Sequence, residues 1–210
     1  MIRELVAEGF LRDETRPLAS GASIHLLWHK GYRYYKRAAK KLVDLVNEYA
    51  DPAVSAVVGL QGEMMVLEGF ARCQFLLKGR NTNEYGGKKW GRSKRDLDFI
   101  FERDSLSYGV EVKNTLGYMD EEEFREKIEI CHFLGIQAVF AARMLPRTWI
   151  YELSEKECGF ALILKHQLYP WGLRHLARRV SRELKLPVDS PTALQEGTMK
   201  RFMDWHQGKL

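Results

Sequence analysis

The chain has 210 residues, 45% hydrophobic and 29% charged, which excludes wholesale disorder and suits one sizeable core with an appendage. Its net charge of +5 hints at a polyanionic partner without deciding for one. No apolar run approaches a membrane span, the start Met1-Ile-Arg-Glu-Leu-Val-Ala-Glu8 is no signal peptide, and Cys73, Cys131 and Cys158 match no zinc spacing. Together these predict a soluble cytoplasmic protein in a reducing compartment, with no membrane partner.

Residues 1–50 read as an N-terminal helical extension. A short helical pattern, Ile2, Leu5, Val6 and Phe10, ends near Pro17, and Ser20–Ser23 is loop-like. His25 and His29 share a helical spacing, but nothing nearby completes a metal set. Ala38, Leu42, Leu45, Val46 and Tyr49 predict an amphipathic helix over 32–49. Its first half is basic, with Lys36, Arg37 and Lys40 interleaved with tyrosines. That pattern suits nucleic-acid phosphates, and it equally suits a solvated helix face.

Residues 51–210 read as the main globular unit. Asp51-Pro52 is an N-cap with a first-turn proline, opening a helix to about Phe70 that contains Gly62-Glu63. Cys73–Lys78 is a short strand. Residues 79–94 read as a mobile, glycine-rich cationic loop with Tyr85 and Trp90 at its tip. From Lys78 to Arg95 seven basic residues, among them Lys88, Lys89, Arg92 and Lys94, stand against one acid, Glu84. Such a loop suits a phosphodiester backbone. No Gly-x-x-x-x-Gly-Lys-Ser/Thr and no Gly-x-Gly-x-x-Gly is present, which argues against an NTPase or a dinucleotide enzyme.

The stretch Arg95–Asn114 carries two alternating apolar runs about a polar break, a β-hairpin pattern. Folding about Asp104–Ser105 sets Asp98 opposite Glu111 and Asp96 opposite Lys113, all four on one face. Facing carboxylates repel, so the pattern calls for a cation: Lys113, or better a divalent metal held by carboxylate oxygens. Asp120-Glu-Glu-Glu123 opens a helix with a Phe124, Ile128, Cys131, Leu134 stripe, closed by Gly135. Ile136–Ala142 then forms a buried strand parallel to the one bearing Glu111. Arg143 and Arg147 follow it as candidate phosphate contacts, and Trp149 and Trp171 read as core or interface residues. Phe160–Lys165 is a strand, Pro170–Lys185 a second basic amphipathic helix, and residues 198–207 a last short helix.

Glu-x-Lys alone carries little, since Glu183-Leu-Lys185 repeats it on a solvated helix face. In its setting, however, the hairpin copy resembles the PD-(D/E)xK nuclease superfamily, the restriction-endonuclease-like fold shared with archaeal-type Holliday-junction resolvases. The match runs over roughly residues 55–145: helix with glutamate, strand, strand with Asp98, strand with Glu111-Val112-Lys113, helix, strand. Leu97 stands where that family often has proline. The resemblance implies an α/β fold with a mixed central sheet flanked by helices. It also implies a DNA endonuclease dependent on Mg²⁺ or Mn²⁺. Asp98, Glu111, the Val112 carbonyl and Glu63 would be metal ligands, and Lys113 would position or deprotonate the attacking water. Two-strand cleavage would call for a homodimer. The rivals are a nucleic-acid-binding module that keeps the fold without catalysis, and an interaction protein whose charges are only surface.

Overall fold

The structure is a computed structural model and describes residues 1–209. It opens with helix α1 (Ile2–Ala7), the antiparallel strands β1 (Leu11–Pro17) and β2 (Ser23–His29), α2 (Tyr35–Tyr49) and α3 (Pro52–Arg72). Strand β3 (Leu76–Thr82) is followed by the short pair β4 (Glu84–Tyr85) and β5 (Lys88–Lys89), then β6 (Leu97–Arg103) and β7 (Leu106–Lys113). Next come α4 (Glu121–Leu134), β8 (Gln137–Ala142), α5 (Arg147–Glu155), β9 (Phe160–Ile163) and β10 (Gln167–Leu168). Helix α6 (Arg174–Arg179) runs into a π-helical turn over 180–184. Strand β11 (Val188–Asp189) and α7 (Glu196–His206) close the chain.

The core is a five-stranded mixed sheet in the order β3-β6-β7-β8-β9, an α/β fold as expected. β6 is antiparallel to β3 and β7, whereas β8 and β9 run parallel to β7. The hairpin register is the expected one, with Phe99 opposite Val110 and Phe101 opposite Tyr108. Asp104 and Ser105 both take positive φ, 51° and 63°, matching the right-handed twist of the flanking strands as two-residue hairpin turns do.

Each sheet face has its own core. Phe99, Phe101, Tyr108 and Val110 pack with Val66 and Phe70 of α3 and Phe202 of α7. Ile100, Phe140 and Ala138 pack with Phe124, Ile128 and Cys131 of α4. α4 is capped as its sequence requires: Asp120 accepts the Glu123 N–H, and Gly135 takes the left-handed conformation. α3 is long and apolar enough to cross a membrane, contrary to the expectation that no run approaches a span. It nevertheless buries Val58, Gly62, Met65, Val66 and Phe70 within the fold, and it carries Glu63, Glu68 and Arg72.

Three local expectations are corrected. The N-terminal extension is helical only at α1 and α2, because Ile24, Leu26 and Trp28 alternate at strand spacing between them. Trp28 stacks on Tyr35 of α2 at 4.3 Å. His25 and His29 therefore lie on a strand, where His25 meets Thr15 (3.2 Å). Residues 79–94 are not a free loop, since β3 runs to Thr82 and β4 pairs with β5. Trp90 is buried, and the Tyr85 hydroxyl meets Glu102 (2.9 Å) and Ser107 (2.8 Å), so neither ring is a mobile tip. Trp149 fits its core reading, stacked on Phe124 at 4.6 Å, but Trp171 is 65% exposed.

Candidate active site

The site forms where β6 begins and β7 ends. Leu97 and Ile100 both pack on the α4 side while Phe99 and Phe101 pack on the other, so strict alternation breaks at the start of β6. The β6–β7 ladder ends at Phe99 and Val110, so the expected Asp98–Glu111 pair lies one position past the last paired residues, and the hydrogen-bonded rung beyond it, Leu97 with Val112, is not formed. In its place the Val112 N–H donates to Asp98 Oδ2 at 2.7 Å. The N–H and carbonyl of one strand residue point the same way, so the Val112 carbonyl faces the Asp98 side as well.

Glu111 is one of the few buried ionisable residues, at 6% exposure. Its ion-pair partner is not Lys113 but Lys127 of α4, whose Nζ donates to Glu111 Oε2 at 2.6 Å and to the Asp96 carbonyl. Sequence reasoning missed Lys127. The signal was there: positions 124, 127, 128 and 131 make one buried helical stripe, so the lysine stood on the core face. Lys113 lies on the Glu111 side of β7 as expected but is paired with Glu123 of α4, at 2.8 and 3.0 Å. Asp96, set opposite Lys113 by the expected register, is thus not its ion-pair partner, because α4 brings the Glu123 carboxylate to Lys113.

Glu63 turns from α3 toward β3, where Arg80 pairs with it at 3.4 Å. Its charge still reaches Asp98 and helps to raise that carboxyl. Burial is the main cause of the shift, pushing Asp98 up to about 6 against the Val112 N–H and Lys127, with Glu63 and Asp96 adding to it. Burial likewise pushes Glu111 up to about 8, helped by the Asp98 charge and opposed by Lys127. The Asp98 charge thus acts on Glu111 just beyond the last paired residues of the hairpin.

Among the described residues no group of three His, Cys, Asp or Glu side chains converges as a preformed metal centre. The four expected ligands are thus not gathered into one. Asp98 and Glu111 do fit a hard divalent cation. Each uses one oxygen in a hydrogen bond, Oδ2 and Oε2, and keeps the other free of side-chain partners. The Lys127 ammonium stands against Glu111 Oε2, and its charge also acts on Asp98.

Asn114, next to Lys113, ties the strand end to the rest of the fold. Its buried amide donates to the carbonyls of Val58 (2.6 Å) and Leu168 (2.7 Å) and accepts the Leu168 N–H (2.7 Å). α3 passes so close that a Cβ on Gly62 would lie 2.5 Å from the Asn114 Cβ.

The expected phosphate contacts fall into three groups. Lys36, Arg37 and Lys40 are exposed on α2. Of the β5 region, Lys88 and Lys94 are exposed, Lys89 pairs with Glu84 (3.5 Å), and Arg92 lies 3.9 Å from Glu129. Arg147 is exposed at the start of α5, but Arg143 is half-buried and donates to the Leu116 carbonyl. Arg143 holds the segment after β7 instead of facing solvent as a phosphate contact would. Comparison with protein-family models, curated proteins and solved structures finds no match for this chain.

Proposed function

We propose that this chain is a metal-dependent nuclease that hydrolyses phosphodiester bonds, a DNA endonuclease by preference. The observation that carries the reading is two desolvated carboxyls, Asp98 and Glu111, just past the last paired residues of the β6–β7 hairpin and near enough that the Asp98 charge raises Glu111, with Lys113 two residues on. The order α3–β3–β6–β7–α4–β8 is the one the PD-(D/E)xK resemblance implies. Asp98 and Glu111 would hold Mg²⁺ or Mn²⁺, with the Val112 carbonyl and Glu63 next nearest. Such an ion lowers the pKa of bound water and stabilises the attacking and leaving oxygens.

The protein's own share is positional. The Val112 N–H fixes the Asp98 carboxylate. Lys127 keeps Glu111 from standing as a buried bare charge and would give way to the ion. Lys113, exchanging Glu123 for a phosphate oxygen, would orient the attacking water and stabilise the developing charge. The exposed cations of α2 and β5 suit a nucleic-acid partner, and a homodimer would serve a two-strand cut. The free cysteines Cys73, Cys131 and Cys158 suit a reducing, cytoplasmic setting. A catalytically silent nucleic-acid-binding module is the second reading, favoured by the Lys127 ammonium already standing against Glu111.

A cleavage panel separates the two. Duplex, junction, flap, single-stranded DNA and RNA are incubated with Mg²⁺, Mn²⁺ or EDTA. Wild-type protein is compared with Glu111→Ala and Lys113→Ala. The nuclease reading expects metal-dependent cutting by wild type alone; equal cutting by Glu111→Ala would overturn it.

A further inference from the structure

α2 and the segment 174–184 leave between them a cleft of about 970 Å³. Tyr32, Tyr34, Arg37 and Lys41 line it, together with the carboxylates Asp44 and Glu183. Tyr34 is 73% and Tyr32 47% exposed, so two aromatic rings stand in water beside cations. Arg179 and Arg182, also on its wall, are paired with Glu48 (2.7 Å) and Glu183 (2.8 Å). Arg37 and Lys41 have no carboxylate within 4.0 Å among the described residues.

The basic surface continues past the cleft. Arg182 also borders a neighbouring hollow, where Arg174 and Arg178 precede it at four-residue spacing and Asp189 lies beside them. The Arg174 guanidinium lies 4.2 Å over the ring of exposed Trp171. The helices that wall the cleft share one core, in which Leu45 and Val58 meet Leu176 and Val180, and Leu116 packs against it. Leu116 stands three residues beyond Lys113, so the cleft is built on the chain that leaves the candidate active site.

We infer that this cleft binds single-stranded nucleic acid, such as an unpaired tail or arm of the substrate; this rests on the nuclease reading and adds a partner class to it. Exposed tyrosines offer stacking faces that only unpaired bases can use, and free cations beside them track the backbone. A surface serving duplex phosphates alone would need the cations and not the rings.

The test is fluorescence anisotropy in EDTA with labelled oligo(dT), a duplex of equal length, and heparin as a polyanion without bases. Wild type is expected to prefer oligo(dT). Arg37→Glu/Lys41→Glu should weaken oligo(dT) binding at least about tenfold and flatten its salt slope by about 1.4, at ~0.7 per lost strand contact. Tyr34→Ala should weaken oligo(dT) by about fivefold or more, the loss of one stacked base, and leave heparin binding unchanged. Thermal melts monitor folding, and Tyr34→Ala decides the matter if charge reversal disturbs α2. Wild-type affinity in Tyr34→Ala, or equal binding of heparin, duplex and oligo(dT), would overturn the inference. Tyr34-dependent binding by a protein that cuts nothing upholds the cleft and overturns only the nuclease reading.

Discussion

Lys127 Nζ lies 2.6 Å from Glu111 Oε2, and both side chains are less than a tenth exposed. Burying both charges is costly, and removing one partner costs more than removing both. At a pH above about 8, where Glu111 carries its charge, Lys127→Met is therefore expected to destabilise the fold by about 3–5 kcal/mol, while Glu111→Leu/Lys127→Met recovers most of it. Urea denaturation of the two variants gives both numbers. A Lys127→Met protein as stable as wild type would mean that the pair is not formed.

Glu111 sets a pH dependence of known sign. Burial raises its folded pKa to about 8, above the ordinary glutamate value of 4.5, so the folded state holds the proton more tightly than the unfolded chain. The stability this contributes is complete below about 4.5 and is lost as pH rises through about 8. Asp98 acts in the same sense between 3.8 and about 6. Glu111→Gln, which cannot ionise, should flatten the upper part of the profile. Chemical melts from pH 5 to about 9, across the window this linkage defines, are the check.

Lys113 and its partner Glu123 are only partly buried, at 30% and 18% side-chain exposure, so solvent screening leaves their pair a modest share of the stability. Lys113→Ala should lower single-turnover cleavage by about 10²-fold or more, the usual scale for a positioned proton-transfer group. Its melting temperature should stay within a few degrees of wild type. A cleavage loss matched by a large melting shift would make Lys113 structural instead.

Two backbone sites give stability predictions of opposite sign. Ser105 takes a φ of 63° in the hairpin turn, a conformation that favours glycine, so Ser105→Gly should stabilise by about 0.5–1 kcal/mol. Gly62→Ala would set its Cβ against Asn114 at 2.5 Å and should cost about 1–3 kcal/mol by overpacking. Thermal denaturation of the two variants tests both.

Where spacing alone decides a feature, the sequence was a good guide. The period-2 runs about Asp104–Ser105 set the register of β6 and β7, and Asp120 and Gly135 marked both ends of α4. Ion pairing was not legible in that way. Lys113 was the one side-chain cation the hairpin pattern offered to the acids, but which cation meets Glu111 depends on how α4 crosses the sheet. That crossing gives Lys127 to Glu111 and Glu123 to Lys113. The β1–β2 hairpin was hidden for another reason: it buries little and leans on α2 through Trp28 and Tyr35, so polar residues dilute its alternation. Trp90 read as a loop tip because its neighbours are polar, whereas it packs into the α4 core beside Phe133.

The central claim is that Asp98 and Glu111 exchange the Lys127 ammonium for a divalent cation. Calorimetric titration with Mn²⁺ at about pH 8, where metal binding no longer competes strongly with the Glu111 proton, tests it without needing a substrate. Saturable binding by wild type that is lost in Glu111→Gln and strengthened in Lys127→Met is the predicted result. No saturable binding by wild type, or equal binding by Glu111→Gln, would contradict it.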